Sequence, residues 1–268
     1  MGGVFCTRVA PPIVTTTPCT LRRSIRPRDA VSCPPKPTFI GEPTVVTDDV
    51  NYVAASINAG FRESGDGSPI IVRPAGGDQA RLTWFRGDGE AVGSLGRPGR
   101  PTKPRISPNG EEVLFEAPHP QNGNRDVWHI ELARGITTGM TTHGATDWHP
   151  VWSPDGSQFL FSSDRAVGAS VYLKTSLDPG AGEERILELE QGAPHDWSRD
   201  GRWVVYGDQD IWVASRSAVV DVFPFLATPA RETSGRFSPN GKWLAYVSDE
   251  TGQWEVYVRP FDDGPAAL

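Results

Sequence analysis

Two histidines, an aspartate and an arginine stand two to four residues before recurring serines in the second half of the chain, and their side chains suit ligand binding. His149 stands four residues before the serine of a Ser-Pro-Asp-Gly turn, and His195 stands three residues before the serine of a related turn. Asp196 and Arg236 each stand two residues before such a serine. Gathered at one place, these groups could bind a small polar ligand, and two imidazoles with a carboxylate could hold a metal ion.

The alternative, which we favour for both the small ligand and the metal, is that these side chains only cap loop amides on a solvated face. We therefore predict no metal site and no cofactor. The binding prediction for the channel or top face rests on His149, His195, Asp196, Arg236 and Trp148. Trp148 is included because most of the nine tryptophans are placed by a repeating pattern that explains them as core residues, and Trp148 lies off it.

Sequence signatures of catalysis are absent. The chain has no Gly-x-Ser-x-Gly, no phosphate-binding loop, no dinucleotide fingerprint and no His-Glu-x-x-His. Turn serines such as Ser153 recur four times, and one catalytic site does not require four copies. Acidic residues such as Asp155, Asp164 and Asp249 recur once per repeat, as loop caps do, whereas a glycosidase needs a pair that converges within about 10 Å. We predict that the chain is not an enzyme.

The elements that position these residues repeat four times. Each copy has an apolar residue before Ser-Pro-Asp-Gly or a variant of it, then an apolar run. The serines are Ser107, Ser153, Ser198 and Ser238, and the steps between them are 46, 45 and 40 residues. Serine, proline, aspartate or asparagine, and glycine suit the four places of a tight turn. A repeat of roughly 40 to 45 residues built from short strands is typical of a β-propeller blade.

A second feature has the same period. An aliphatic and an aromatic residue form a pair whose aromatic members are Trp128, Tyr172, Trp212 and Tyr257, spaced 44, 40 and 45 residues apart. The apolar runs after the turns do not alternate with polar residues, which indicates strands covered on both faces. A blade packed between two neighbouring blades meets that requirement.

The fold class predicted is all-β, a partial β-propeller of four clear blades plus one degenerate blade, with the last blade incomplete. We expect a disordered, basic, Pro/Thr-rich extension over residues 1–40, a degenerate blade and hairpin over 41–100, and four WD40-like blades over 101–268. The last blade is expected to lack its outer strand, because few residues follow the third strand that ends near Phe261.

Charge and cysteine content narrow the function class. The net charge is −7 and the isoelectric point near 5.3. Residues 1–38 hold six basic residues and one acidic residue, so the remainder is near −12, which argues against nucleic-acid binding. The three cysteines (Cys6, Cys19 and Cys33) all lie in that basic segment without metal-ligand spacing. No signal peptide or transmembrane stretch is evident.

The repeats resemble the WD40-like repeat of the TolB translocation protein's propeller. They resemble most closely the propeller that follows the kinase domain and membrane helix in some bacterial receptor-type serine/threonine kinases. The resemblance is carried by the four turns, by residues 124–128 and 161–165, and by residues 255–261, and it covers about residues 80–261 well. Arg199 departs from the pattern, because it stands where the turn proline would be. The resemblance implies an extracytoplasmic or periplasmic location and binding of proteins or ligands.

The sequence thus predicts a non-catalytic binding module with a protein or peptide partner favoured over a small ligand, and with self-association through the open terminal blade as a possibility. The alternative is the propeller of a prolyl-oligopeptidase-like or dipeptidyl-peptidase-like hydrolase without its catalytic domain. A fragment with no function of its own is a third hypothesis. The sequence names neither the ligand nor the compartment, the blade number of a parent protein or the oligomeric state.

Overall fold

The computed structural model describes residues 52–53, 58–59, 61–63, 69–76, 79–86, 90–166, 168–189, 192–207, 209–216 and 221–261. Every regular element in these residues is a β-strand, and the strands form six sheets. The small sheet pairs β1 (Tyr52–Val53) with β2 (Asn58–Ala59). The extension predicted over residues 1–40 lies outside the described residues.

The other five sheets are antiparallel blades whose strands follow chain order. Blade 1 contains β3 (Phe61–Glu63), β4 (Pro69–Gly76), β5 (Gln79–Phe85) and β6 (Ala91–Gly99). Blade 2 contains β7 (Thr102–Ile106), β8 (Glu112–Pro118), β9 (Arg125–Glu131) and β10 (Ile136–Gly139). Blade 3 contains β11 (Asp147–Trp152), β12 (Phe159–Ser163), β13 (Ala169–Lys174) and β14 (Glu183–Leu189).

Blade 4 contains β15 (Ala193–Trp197), β16 (Trp203–Gly207), β17 (Ile211–Ser215) and β18 (Val222–Leu226). Blade 5 contains β19 (Glu232–Phe237), β20 (Trp243–Ser248) and β21 (Glu255–Pro260), so its described part has three strands. The all-β propeller prediction is confirmed. Blades 2 to 5 are the four clear repeats, and blade 1 is the degenerate unit upstream of them.

The hydrophobic core is divided among the interfaces between neighbouring blades. Leu114 and Val127 of blade 2 pack with Phe159 and Phe161 of blade 3, and all four side chains have no solvent exposure. Similar clusters join blades 1 and 2, blades 3 and 4, and blades 4 and 5. Central strands buried on both faces explain why the sequence shows apolar runs rather than alternation.

The turn motif of each of blades 2 to 5 joins the first strand to the second through the same hydrogen bonds. In blade 3 the hydroxyl of Ser153 donates to Asp155 Oδ1 over 2.6 Å and accepts from the backbone N–H of Gln158 over 3.0 Å. Gly156 has φ of 74°, which glycine adopts without steric cost. The same bonds occur at Ser107, Ser198 and Ser238. These hydroxyls hold turns together, as the repetition indicated.

Candidate functional site

The first strands of the blades surround the propeller axis. Contacts join β3 to β7, β7 to β11, β11 to β15 and β15 to β19. Since every first strand enters its blade in the same direction, residues near the starts of these strands lie at one mouth of the axial channel. The predicted residues Trp148, His149, His195, Asp196 and Arg236 all lie on these strands.

Each first strand in blades 2 to 5 carries a bulge near its start. In blade 3, His149 and Pro150 together lie opposite the single residue Phe161 of the second strand. The corresponding bulges contain Lys103 and Pro104 in blade 2, His195 in blade 4, and Ser234 and Gly235 in blade 5. A bulge bends its strand and changes the direction of a side chain, and bulges are common beside functional sites.

Three of the bulges hold a residue other than glycine in the left-handed region. The φ angles are 51° at Lys103, 53° at His149 and 61° at Ser234, and no other non-glycine residue among the described ones has a positive φ. This conformation costs of order 1 kcal/mol or more at each residue and persists only where the surroundings impose it. Its recurrence at equivalent places in three blades marks the channel mouth as a constrained ring.

A buried carboxylate of blade 2 holds the bulge of blade 3. Glu116 has no solvent exposure, and its Oε1 accepts the backbone N–H of His149 over 2.7 Å. Its Oε2 accepts from Thr102 Oγ1 over 3.1 Å and from Arg125 Nη1 over 2.9 Å. The charge of Glu116 is therefore paired within blade 2 by Arg125, as a buried carboxylate requires, and the bond to His149 crosses the blade interface.

A second pair of hydrogen bonds joins the same two blades. The Nε of Arg105 donates to the carbonyl of Pro150 over 3.1 Å, and Trp152 Nε1 donates to the carbonyl of Arg105 over 2.9 Å. These bonds fix the guanidinium of Arg105 beside the bulge that carries His149.

Blades 4 and 5 meet through the predicted histidine and aspartate. His195 is buried, and its Nδ1 accepts the backbone N–H of Gly235 over 3.2 Å. Asp196 Oδ2 accepts the N–H of Phe237 over 2.9 Å, and Asp196 Oδ1 lies 3.7 Å from Arg236 Nη1. Since Nδ1 of His195 is an acceptor, its imidazole is neutral with the proton on Nε2.

The two histidines of the channel mouth have the same cationic neighbours. Burial lowers the pKa of His195 to about 3, and the charges of Arg236, Arg105 and Lys103 add to that effect. Burial likewise lowers the pKa of His149 well below its usual range. The charges of Lys103, His195, Arg105 and Arg236 lower it further, in that order. The same three cations act on both imidazoles, so the five side chains form one cluster in which the histidines are neutral at pH 7.

Arg236 is partly balanced by its carboxylate neighbour. Burial lowers the pKa of Arg236, while the charge of Asp196 and its hydrogen bond raise it. The side chains of Arg236 and Asp196 are 34 % and 28 % exposed, so both remain accessible to solvent. Lys103, Arg105 and Arg236 are the cations at this mouth, and Asp196 is the carboxylate beside Arg236.

Other site types receive no support from the described residues. Among them, no group of three or more His, Cys, Asp or Glu side chains is arranged to hold a metal ion. No helix in the described ranges is long and apolar enough to cross a membrane.

The structure brings four of the five predicted residues into this cluster. His149, His195, Asp196 and Arg236 interact as described, whereas Trp148 lies half-buried beside the blade 3 bulge without a contact to the cluster among the hydrogen bonds and ring contacts of the described residues. Sequence reasoning missed Lys103. The signal for it was the pair Lys103-Pro104, which lies 46 residues before His149-Pro150, the same step as between the turn serines.

Comparison with known proteins gives a fold but no family. No protein-family model matches the sequence. An uncharacterized protein of Agrobacterium fabrum is 27% identical over 171 residues, which cover 58% of this chain and 53% of that protein. The chain thus spans about half the length of the curated relative it matches.

Solved structures show which known fold the chain resembles. TolB from Acinetobacter baumannii superposes with a TM-score of 0.59 at 20% identity, covering 75% of this chain and 51% of that one. A TolB-type structure from Agrobacterium tumefaciens gives 0.58 at 22% identity, covering 76% of each chain. The chain has a TolB-like β-propeller fold. These similarities give no support to the kinase-associated form of the propeller specifically.

The TolB-like propeller also superposes on the propeller of enzymes. Prolyl oligopeptidase B from Galerina marginata gives a TM-score of 0.56 at 10% identity, covering 75% of this chain and 33% of the enzyme. Identities this low show the fold alone.

Proposed function

We propose that this TolB-like propeller is a non-catalytic binding module that takes an acidic segment of a protein or peptide partner at its axial channel mouth. The observation that carries the proposal is the ring of bulges. It gathers Lys103, Arg105 and Arg236 around two neutral histidines, His149 and His195. Positively charged donors held together at the channel mouth favour carboxylate groups.

The negative charge of the rest of the propeller is compatible with this site. Charges on the exterior are screened over about 8 Å at physiological salt, whereas the groups of the mouth would contact the ligand directly. The exterior should therefore slow the approach of an acidic peptide without preventing its binding. The partner class and an extracytoplasmic location, in a receptor kinase or a TolB-like protein, belong to this proposal.

Titration calorimetry with two hexapeptides tests the proposal. One alternates glutamate with glycine, and the other alternates glutamine with glycine. We expect the glutamate peptide to bind at least about tenfold more tightly. Arg236→Gln should abolish the difference, and Arg134→Gln, which changes an arginine exposed on the blade surface, should preserve it. Equal affinity for the two peptides, or no binding of either, would contradict the proposal.

The alternative keeps the propeller as the gate of a prolyl-oligopeptidase-like hydrolase, because that class of enzyme shares the fold. The two hypotheses differ in their genomic neighbourhood. A coding sequence with Gly-x-Ser-x-Gly downstream supports the hydrolase. An upstream kinase domain with a membrane helix supports the receptor.

A further inference from the structure

Blades 3 and 5 are equivalent position by position, and this equivalence exposes one difference in charge. Residue numbers differ by 85 throughout, as in the strand pairs Asp147 with Ser163 and Glu232 with Ser248. The loop after the second strand is held identically in both blades. The N–H of Arg165 donates to Ser163 Oγ over 3.3 Å, and the N–H of Glu250 donates to Ser248 Oγ over 3.2 Å. Glu250 therefore takes the place of Arg165.

In blade 3 that place is filled by the guanidinium of Arg165. Its Nη2 lies 2.9 Å and 3.0 Å from the two oxygens of Asp147, a buried carboxylate, and its Nη1 binds Glu183 of the fourth strand. The guanidinium carbon lies 4.5 Å from the ring centroid of Tyr172 and 5.3 Å from that of Phe161. Two carboxylates and two aromatic rings thus surround one cation.

Blade 5 keeps the buried acceptor of the first strand and both rings. Glu232 replaces Asp147, and the stacked rings Tyr246 and Tyr257 replace Phe161 and Tyr172. Their ring centroids are 5.6 Å apart with an interplanar angle of 17°, against 5.7 Å and 25° in blade 3. The cation itself is missing, because Glu250 stands in the place of Arg165. Glu250 adds a second acidic side chain instead.

The buried carboxylate of blade 5 is left without compensation. Glu232 has no solvent exposure, and its Oε2 has no hydrogen-bond partner, while its Oε1 is bound by Thr228. No described Lys, Arg or His lies within ion-pair distance of it. Burial raises the pKa of Glu232, and the charges of Asp210 and Glu250 raise it further. An unpartnered buried carboxylate oxygen calls for a donor.

The arginines nearest in sequence serve other contacts. Arg259 donates to the carbonyl of Phe225 over 3.4 Å and lies over the ring of Phe225, and Arg231 lies over the ring of Trp254. Neither is among the groups with the largest effects on the pKa of Glu232. In the described part of blade 5 no fourth strand covers the place where Glu183 covers Arg165.

We propose that blade 5 is a receptor for a guanidinium group, the side chain of an arginine that enters beside Glu232 between the carboxylate of Glu250 and the rings of Tyr246 and Tyr257. Guanidinium donates to two carboxylates in its plane and stacks on aromatic faces, which is the arrangement blade 3 already shows with its own arginine. The arginine belongs either to a partner or to the basic segment over residues 1–38, which contains five arginines.

Three amino-acid derivatives whose backbone ends are blocked and uncharged serve as probes of the site. They are N-acetyl-arginine methylamide, its lysine analogue and its citrulline analogue. With the arginine compound we expect saturable shifts of the tyrosine ring signals in NMR spectra of the full chain. The citrulline compound, which has the same shape without charge, should bind at least about tenfold more weakly. Glu232→Gln should weaken arginine binding by a similar factor. The same titration of a chain with its five N-terminal arginines changed to glutamine separates the two sources. If an arginine of the basic segment occupies the site in the native chain, the compound should bind only to the changed chain.

Glu250→Arg supplies the missing cation and gives an independent readout. This variant should raise the melting temperature and abolish binding of the arginine compound, because its own guanidinium occupies the site. Glu184→Arg makes the same charge change on the exposed face of β14 and should do neither. The proposal is overturned if Glu250→Arg changes neither the melting temperature nor the binding of the arginine compound. It is also overturned if the citrulline compound binds as tightly as the arginine compound. Failure of the arginine compound to bind either the native chain or the chain without the five N-terminal arginines would overturn it as well.

Discussion

The Nδ1 atom of His195 in blade 4 accepts a hydrogen bond from the backbone N–H of Gly235 in blade 5 over 3.2 Å. The two residues lie in neighbouring bulges at the channel mouth, so one imidazole both lines the channel and joins two blades. Protonation of Nδ1 would break the bond and place a cation beside Arg236. The interface is therefore built for a neutral histidine.

The burial of His195 beside the cations of the channel mouth predicts a specific dependence of stability on pH. The pKa of His195 is about 3 in the folded chain against an ordinary value near 6.5, so the unfolded chain binds the proton more readily. Its contribution to the free energy of unfolding is complete above pH 6.5 and is lost as the pH falls towards 3, by up to about 1.4 kcal/mol per pH unit. Urea unfolding of the native chain and of His195→Gln at pH 7, 6 and 5 measures it, and the variant should show the shallower decline.

The comparison between chains is needed because other buried groups also titrate. The pKa of Asp126 is raised to about 6 by burial and by Asp147, so its contribution increases as the pH falls. His149 acts in the same direction as His195. The contribution of Asp126 is shared by the two chains and cancels in the difference, whereas that of His149 is smaller in the variant because His195 also lowers the pKa of His149. Parallel pH profiles would show that His195 is not the group responsible.

Gly235 leaves no room for a side chain. A Cβ at this position would lie 2.7 Å from Val205 Cγ2 in the core between blades 4 and 5. Gly235→Ala should therefore destabilise the chain by about 1–3 kcal/mol through overpacking. Gly144→Ala is the matched control, because a Cβ there meets nothing within 4 Å. Thermal melts of the two variants check the prediction, and equal melting temperatures would refute it.

Arg199 stands where three of the four turns have proline. The turn around it has the same hydrogen bond from Gly201 N–H to Ser198 O, 2.9 Å long, as the turns with proline. Arg199→Pro should therefore fit the turn and stabilise the chain by about 0.4–1 kcal/mol by restricting the unfolded state. Urea unfolding measures the gain. A loss of stability would mean that this turn differs from the other three.

Glu116 should be a stability determinant of the blade 2 and blade 3 interface. Glu116→Gln removes the charge and replaces one acceptor oxygen by an NH2 group, which would face another donor. We therefore expect the free energy of unfolding to fall by about 1–3 kcal/mol. Glu131→Gln is the control, because its ion pair with Arg134 is exposed at the surface and worth little. A similar small effect of both changes on urea unfolding would contradict the role assigned to Glu116.

The sequence by itself determined the propeller. The turn at Ser153 and the aromatic at Tyr172 follow local rules, since turn geometry and burial on both faces depend on residue type and spacing. Their shared period indicated the blades, and the positions of His149 and His195 before the turns indicated the channel. Lys103 could have been added by its spacing from His149.

Tertiary structure alone decided the charge environment of both sites. The neutrality of His195 depends on its burial between two blades, where its Nδ1 accepts from Gly235, forty residues away. The unpaired oxygen of Glu232 depends on Glu250 standing where blade 3 has Arg165. A residue's type does not state which charges surround it, because burial and electrostatic interactions arise only when distant strands pack around a common axis.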